Sequence, residues 1–310
     1  MHPVLVVVPW PELGIPLWPL FALLGLSGAG VGFAALRRRD APVAALGFLL
    51  TAAGLALAVT SRASRLISGS FELRSWGALF ALAMVLGSAV TLHRGARRGF
   101  DRELLVRACI AAGVGGVIGA RLVWVLLHPN ATGSVEGAVA FYLGGLSIWG
   151  GVAGGLAGAK LVTRSSGTSL RAFADVATPG FVAGIAVARL GCFFEGCDFG
   201  VPFGGGAPRF LASLGTFPAN SPAWVAHVVS RGLTPNASTS LPVHPVMLYE
   251  AFAAFVLVVV SFLLERRGFR PGFVFVAVSL MYLLLRVSLD SLRDDPAEMW
   301  VSRVLLLCVV

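Results

Sequence analysis

Residues 173–200 read FADVATPGFVAGIAVARLGCFFEGCDFG, an apolar run that ends in charged and sulfur-bearing side chains. The stretch 173–190 is apolar enough to predict a membrane-spanning helix. It closes at Arg189, and the next residues carry two cysteines, two carboxylates and three glycines. An arginine within a membrane helix costs on the order of 2.5–3.5 kcal/mol on the insertion scale, so such a residue indicates a function. Residues 189–200 are therefore the first candidate site.

The composition is that of a membrane protein. Hydrophobic residues make up 57% of the chain and charged residues only 13%, which excludes an ordinary soluble domain. Because a helix needs about 20 mostly apolar residues to cross a bilayer, we predict an all-α, polytopic bundle of about eight spans, near residues 16–36, 42–60, 75–93, 104–127, 140–162, 173–190, 246–264 and 272–290. A further run, Met299–Val310, is too short to span, so it either lies at the interface or belongs to an unfinished last helix.

Basic residues predict the orientation of this bundle. Alternate loops hold 14 of the 24 lysines and arginines, in the groups 37–39, 94–107, 160–171 and 266–270. Because cytoplasmic loops are enriched in Lys and Arg, we place those loops in the cytoplasm and place the N-terminus and residues 191–243 outside. The net charge of +9 then mainly attracts anionic lipid, and no basic stripe predicts a nucleic-acid partner.

Glycines at four-residue spacing predict close helix contacts. They form the series Gly150, Gly154 and Gly158, with shorter series at 151/155 and 115/119, and small residues at this spacing let two helix backbones touch. Helix packing is the favoured interpretation for most of them. The exception is the stretch 144–151, where paired glycines flank Ser147 and Trp149 and predict a backbone surface that a lipid headgroup approaches; Gly145 and Gly150 belong to it.

Residues 191–243 form a long stretch without a spanning pattern. They are rich in Gly, Pro, Ser and Asn, and a connection this long is usually functional or disordered. We predict a small exoplasmic cap over the bundle, with one short helix at 224–229. The polar residues that open the next span, beside Arg189, are His244, Tyr249 and Glu250.

The last predicted span closes with a charged helix face. Arg286 and Asp290 are four residues apart, and Asp290 and Arg293 are three apart, so all three side chains share one face. Neutralisation of a buried ion pair explains this face as well as catalysis does. Together with Arg189, however, the chain gathers three arginines and several carboxylates at one membrane face. Arginine is suited to bind a phosphate through two hydrogen bonds.

Six blocks of the sequence resemble, in the correct order, the prolipoprotein diacylglyceryl transferases of bacterial inner membranes. The blocks are Phe71–Gly77, Gly119–Leu122, Gly144–Gly151, Arg189–Gly200, His244–Ala251 and Arg286–Asp295. The resemblance implies a seven-span transferase-like domain over 71–310, preceded by an additional two-helix membrane segment at 1–70. It also implies an enzyme that moves the diacylglyceryl group of phosphatidylglycerol onto the lipobox cysteine of a secreted prolipoprotein and releases glycerol phosphate. We expect no cofactor and no metal.

Four positions depart from the best-studied members of that family. This chain has Trp149 in place of a histidine, Cys192 in place of an asparagine, Cys197 in place of a glutamate, and the shorter Asp290 in place of a glutamate. The family also includes branches with an aromatic residue and paired cysteines at these positions. The chain resembles such a branch.

The resemblance implies a division of roles within the site. Arg189 and Arg286, with Arg121, hold the phosphate and stabilise the charge on the departing glycerol phosphate. A thiol is a poor nucleophile until it loses its proton, so either His244 is the base or the arginine field lowers the pKa of the acceptor thiol. The residues with supporting roles are Tyr249 and Asp290 as orienting groups and, for substrate binding, Arg74, Trp76, Arg121, Gly145, Ser147, Trp149, Gly150, Cys192, Glu195, Gly196, Gly200, Glu250 and Arg293.

The sequence leaves several alternatives open. Cys192 and Cys197 face the oxidising side and either pair as a disulfide, bind a metal with His244 and Asp198, or stay as free thiols, which is the favoured interpretation. The chain is either the transferase, a diverged paralogue that binds phospholipid or a signal sequence without catalysis, or a transporter. Inverted repeats and charges near the membrane midplane are typical of transporters, whereas the charges of this chain cluster at one face.

Overall fold

The computed structural model describes residues 4–9, 70–128, 145–204, 206 and 208–294. Within these ranges the chain forms eight helices, which are α1 (Ser75–Arg97), α2 (Arg102–Leu127), α3 (Ile148–Ser165), α4 (Leu170–Glu195), α5 (Arg209–Leu214), α6 (Pro222–Ser230), α7 (Val246–Glu265) and α8 (Phe273–Asp290). Two short strands, β1 (Val4–Pro9) and β2 (Ser70–Arg74), pair antiparallel, and β2 leads directly into α1. The predicted spans 16–36 and 42–60 and the run 299–310 lie outside the described residues.

Five of these helices, α1, α2, α4, α7 and α8, are long and apolar enough to cross a membrane. They coincide with the predicted spans that begin near residues 75, 104, 173, 246 and 272, so the predicted polytopic helical bundle is confirmed. The predicted span 140–162 is described only in part. Its helical part is α3, which begins at Ile148 and packs along α2.

Local side-chain and backbone features fix the ends of the helices. The Asp101 carboxylate accepts the backbone N–H of Leu104 at 2.9 Å and caps the start of α2. At the end of α4, Gly196 adopts the left-handed region with a φ of 77°, which glycine enters without steric cost. This turn directs the chain away from the helix axis after Glu195, and there the cap begins.

Glycines bring two pairs of helices into backbone contact. A Cβ atom on Gly154 of α3 would overlap the carbonyl oxygen of Gly115 on α2, so the predicted close contact of these helices is confirmed. A Cβ atom on Gly180 of α4 would likewise overlap the carbonyl oxygen of Gly87 on α1. The sequence did not single out that second pair. Because backbone meets backbone at both crossings, a residue larger than glycine at either would force the two helices apart.

Helices α4, α7 and α8 form the core that supports the site. Buried Val182, Ala254 and Val278 pack against one another between these helices. The outer faces stay apolar and exposed, for example at Phe252 of α7 and Leu284 of α8, as expected for helices that are surrounded by lipid. The polar side chains of these helices are therefore concentrated at their ends.

Residues 196–245 fold back over one end of the bundle, which we call the cap end. Helix α6 confirms the predicted short helix at 224–229, whereas α5 was not predicted. Isolated backbone bridges join Pro202 to Val243 and Pro218 to Thr239, and they make the cap a compact unit rather than an extended loop.

The opposite end, which we call the far end, contains buried acids of its own. The carboxylate of Asp175 accepts two backbone N–H groups at the start of α8, at 2.7 and 2.8 Å. Glu265, at the end of α7, pairs with Arg94 and lies 3.6 Å from Arg98. These contacts tie α4 to α8 and α1 to α7.

Candidate active site

Glu250 lies on the first turns of α7, is fully buried and contacts three arginines. Its Oε2 lies 2.5 Å from Nε of Arg189. Its Oε1 lies 2.5 Å from Nη1 of Arg286 and 3.2 Å from Nη1 of Arg293. The arginines come from α4, α8 and the residues after α8, so one carboxylate joins three separate parts of the chain.

Asp198 contacts two of the same arginines from the cap side. Its Oδ2 accepts a hydrogen bond from Nη1 of Arg189 at 2.6 Å, and its Oδ1 accepts one from Nη2 of Arg293 at 3.2 Å. The Asp198 side chain is 35% exposed, whereas those of Arg189 and Arg293 are 11% and 2% exposed. Asp198 therefore separates these guanidinium groups from the surroundings.

Asp290 and Tyr282 complete the cluster from α8, one turn on either side of Arg286. Nε of Arg286 lies 4.0 Å from Oδ1 of Asp290, and both side chains are 1% exposed. Tyr282 is buried within electrostatic reach of Arg189 and Glu250. The term arginine cluster denotes the seven side chains Arg189, Asp198, Glu250, Tyr282, Arg286, Asp290 and Arg293.

The charges of the arginine cluster balance. Its three guanidinium groups face three carboxylates, and buried charges are tolerated when they are paired in this way. Burial by itself would raise the pKa of the Asp198 carboxyl, but Arg189, with smaller contributions from Arg293 and Arg286, holds that pKa well below its usual range. Asp198 is therefore ionised at every physiological pH.

Backbone contacts bring together the three segments that carry the charged residues, 189–200, 244–251 and 286–295. The N–H of Gly200 donates to the carbonyl oxygen of His244 at 3.0 Å, and the N–H of Val201 donates to that of Leu292 at 2.9 Å. A Cβ atom on Gly200 would overlap the Leu292 carbonyl oxygen. Gly200 and Gly196 thus have structural tasks here, and their predicted contact with substrate stays a prediction.

The two cysteines beside the cluster are free thiols. Sγ of Cys192 lies 3.4 Å from Oδ2 of Asp198, and Sγ of Cys197 lies 3.8 Å from the carbonyl oxygen of Cys192. The hydrogen bond with Cys192 and burial raise the pKa of Cys197 well above its usual value. The three ligand atoms of Cys192, Cys197 and Asp198 are close enough to hold a metal ion. The paired arginines on Asp198 oppose that hypothesis because they would repel a cation.

A second polar group lies where α2 meets the start of α3. Nη1 of Arg121 donates to the carbonyl oxygen of Gly145 at 3.0 Å, and the guanidinium lies 4.7 Å from the Trp124 ring centre. Gly145 has a φ of 79°, and a Cβ atom there would overlap Trp124. Within the described part of the chain, the buried Ser147 Oγ and Trp149 Nε1 have no hydrogen-bond partner. Two hydrogen-bond donors are therefore available beside Arg121.

Comparison with protein families identifies the family of this chain. The family model described as prolipoprotein diacylglyceryl transferase matches residues 64–310, which include both polar groups. The chain belongs to this family. The membership predicted from the six sequence blocks is thus confirmed, and with its five apolar helices the protein is a multi-pass membrane protein.

Relatives of the chain carry the name phosphatidylglycerol–prolipoprotein diacylglyceryl transferase. The one from Frankia alni is 30% identical over 236 residues, which cover 74% of this chain and 57% of the relative. The one from Mycobacteroides abscessus is 29% identical, with 70% and 65% covered, and the one from Paenarthrobacter aurescens is 29% identical, with 78% of each covered. The chain thus spans less than two thirds of the length of the Frankia and Mycobacteroides relatives.

The other predicted site residues of this family member surround the two polar groups. The His244 ring lies 4.0 Å from the Phe203 ring and 6.5 Å from the Tyr249 ring, between centres. Trp76 stacks on Phe80 at 5.2 Å and packs against a group of buried apolar side chains that includes Cys192 and Phe193. Glu195 is buried at the end of α4, Gly150 packs against α2, and Arg74 belongs to β2, with its side chain outside the described part of the structure. The roles predicted for these residues remain predictions.

The sequence alone did not assign two members of the arginine cluster to the site. The sequence predicts a role for Asp198 only as an alternative metal ligand and predicts none for Tyr282. Tyr282 precedes Arg286 by four residues, a spacing that could have revealed their common helix face. Asp198 adopts a φ of 56°, and no local pattern predicts where such a turn directs its carboxylate.

Proposed function

We propose that this protein transfers the diacylglyceryl group of phosphatidylglycerol to the thiol of a lipobox cysteine in secreted prolipoproteins and releases glycerol phosphate. The observation that carries the proposal is the convergence of Arg189, Arg286 and Arg293 on one buried carboxylate at the cap end. Buried arginines arranged in this way suit an anionic headgroup where water is scarce. Family membership and the names of the relatives support the substrate pair.

The reaction forms a carbon–sulfur bond at the glycerol carbon and breaks the carbon–oxygen bond to the phosphate. The departing phosphate gains one negative charge, which the guanidinium groups of the arginine cluster stabilise more strongly than they stabilise the intact lipid. The thiol proton must leave as the bond forms. The indole of Trp149 cannot accept it. The proposed base is His244, whose backbone carbonyl oxygen accepts the N–H of Gly200, two residues after Asp198, at 3.0 Å.

We further propose the bacterial inner membrane as the location, with the arginine cluster toward the periplasmic side. The support is charge asymmetry: arginine-rich turns follow α1 and α7 at the far end, whereas the cluster lies at the cap end. Lys- and Arg-rich loops are typical of the cytoplasmic side. As a separate part of the proposal, the transferase domain extends over 71–310, and 1–70 is an additional two-helix membrane segment.

The test is a direct transfer assay on the purified protein in detergent. We expect a peptide with a lipobox cysteine, incubated with phosphatidylglycerol, to gain the mass of one diacylglyceryl unit. The gain should be lost with Arg189→Ala and with a cysteine-free peptide. Arg231→Ala is the matched control, because Arg231 pairs with Asp294 at 2.8 Å in the cap, outside the arginine cluster.

Two results would contradict the proposal. Binding of phosphatidylglycerol without any mass gain would instead support the non-catalytic paralogue, and flux of a substrate through reconstituted vesicles without transfer would support a transporter.

A further inference from the structure

Asp198 differs from the other two carboxylates of the arginine cluster. Glu250 and Asp290 are 0% and 1% exposed, whereas the Asp198 side chain is 35% exposed. Each oxygen of Asp198 contacts a different arginine, Arg189 at 2.6 Å and Arg293 at 3.2 Å. A phosphate binds to arginines in the same way, with two of its oxygens contacting two guanidinium groups.

Charge balance indicates what can take the place of this carboxylate. With Asp198 in position, the cluster has three positive and three negative groups. A phosphodiester added to the intact cluster would leave an excess negative charge in a largely buried site, which is unfavourable. A phosphodiester that replaces the Asp198 carboxylate exchanges one single negative charge for another and leaves the balance unchanged.

The backbone around Asp198 allows its side chain to move alone. Cys197 N–H is bonded to the Cys192 carbonyl oxygen at 3.1 Å and Gly200 N–H to the His244 carbonyl oxygen at 3.0 Å, so both flanks are fixed. Among the described residues, the Cys192 thiol also lies within hydrogen-bond distance of the Asp198 carboxylate, at 3.4 Å, and a thiol is a weak donor. A rotation of the Asp198 side chain would expose Arg189 and Arg293 without unfolding the cap.

We propose that Asp198 is an internal substitute for the phosphate: it occupies Arg189 and Arg293 while lipid is absent, and the phosphodiester of a phospholipid headgroup displaces it. Glu250 stays in place beneath and keeps the arginines oriented. The inference rests on the proposed function, because it takes the arginine cluster as the headgroup site. It makes Asp198 a residue that sets the affinity for lipid rather than one that holds the lipid.

The first test compares Asp198→Asn with Asp294→Asn. Asp294 pairs with Arg231 on the same end of the protein at 2.8 Å, and its loss removes the same charge without touching the cluster. Because a hydrogen bond to a charged group is worth about one tenfold step in affinity or more, we expect Asp198→Asn to lower the Kd for phosphatidylglycerol about tenfold. Asp294→Asn should change that Kd by less than about twofold, and neither variant should alter binding of diacylglycerol, which has no phosphate.

The outcomes separate this inference from the proposed function. An unchanged or weaker affinity of Asp198→Asn for phosphatidylglycerol, with wild-type transfer intact, would overturn the role of Asp198 alone. A gain confined to free glycerol phosphate would overturn the assignment to a lipid headgroup. Absence of both transfer and phosphatidylglycerol binding in the wild type would overturn the proposed function and this inference with it.

A second measurement uses the wild-type protein and does not depend on the folding of a variant. Carbodiimide labelling of carboxyl groups, read by mass spectrometry, should modify Asp198 several-fold faster when phosphatidylglycerol is bound, because the released side chain loses its arginine partners. Asp294 is the internal reference and should label equally in both states. Slower or unchanged labelling of Asp198 with lipid present would overturn the proposal.

Discussion

Helix α7 carries a buried glutamate at each end, and the two serve different purposes. Glu250, at the cap end, contacts three arginines whose side chains are 1–11% exposed. Glu265, at the far end, pairs with Arg94 and Arg98, whose side chains are 28% and 38% exposed. The acids are equally hidden, but only at the cap end are the cations hidden as well.

This difference distinguishes the candidate site at the cap end from the structural ion pairs at the far end. At the far end an arginine that loses Glu265 can turn toward water or lipid headgroups, as long basic side chains commonly do. At the cap end the three guanidinium groups are buried and cannot turn toward water, and among the described residues the carboxylates of Glu250, Asp198 and Asp290 offset their mutual repulsion. Burying charged groups carries a desolvation cost even when they are paired, which is consistent with a functional reason for keeping them together.

The largest effect should come from Glu250→Gln. Removal of the central carboxylate leaves buried positive charges uncompensated, and breaking a buried ion pair in this way costs about 3–5 kcal/mol. We expect the free energy of unfolding in detergent to fall by that amount and transfer to fall below detection. Retention of more than a tenth of the wild-type transfer rate would contradict the central role of Glu250.

Arg189→Lys tests whether geometry or charge alone matters at the cap end. Arg189 uses Nε for Glu250 and Nη1 for Asp198, and a lysine ammonium cannot reproduce this fork. We expect the initial transfer rate to fall on the order of 100-fold, with a smaller loss of stability than in Glu250→Gln because the charge remains. The comparison variant is Arg94→Lys at the far end, where we expect nearly full activity. Equal losses in the two variants would erase the distinction between the ends.

Glu265→Gln examines the far end directly. Because Arg94 and Arg98 are partly exposed, their loss of a partner should cost only about 1 kcal/mol of stability. Transfer should stay within about twofold of the wild-type rate, measured with the same peptide. If transfer instead fell as far as in Glu250→Gln, the far end would have to take part in the reaction.

The sequence predicted those features that depend on the local composition or spacing of residues. Apolar runs of spanning length predicted α1, α2, α4, α7 and α8, because lipid selects such runs. Glycines four residues apart predicted the α2–α3 contact. The cost of a charge in a membrane helix singled out Arg189, and the four-residue spacing of Arg286 and Asp290 predicted their common helix face; the structure brings all three into one cluster.

Features that depend on the path of the chain could not be predicted. Asp198 reaches the cluster because Gly196 and Asp198 both adopt left-handed conformations and turn the chain back over α4. The contact of Gly200 with Leu292 joins residues far apart in sequence. Arg121 contacts Gly145 and Trp124 at the α2–α3 junction. Its binding of the lipid phosphate stays a prediction.

The smallest expected effect is a response of the cap end to mild acid, carried by His227. This side chain is buried, and its Nδ1 accepts the backbone N–H of Leu241 at 3.2 Å, which requires the neutral ring. Burial, with the nearby Arg231 and against an opposing effect of Asp294, lowers the pKa of His227 below its ordinary value of 6.5. Below pH 6.5 the unfolded chain therefore binds more protons than the folded one, and stability falls as the pH falls.

For a single proton this dependence stays below about 1.4 kcal/mol per pH unit. We expect a decrease of at most about 1 kcal/mol in the free energy of unfolding between pH 7 and pH 5.5 in the wild type. His227→Asn, whose side-chain oxygen can still accept the Leu241 N–H, should remove most of that decrease. His93→Asn, at an exposed position of α1, is the control. An unchanged pH dependence in His227→Asn would show that the acid response arises outside the cap, and it would remove this distinction between the two ends.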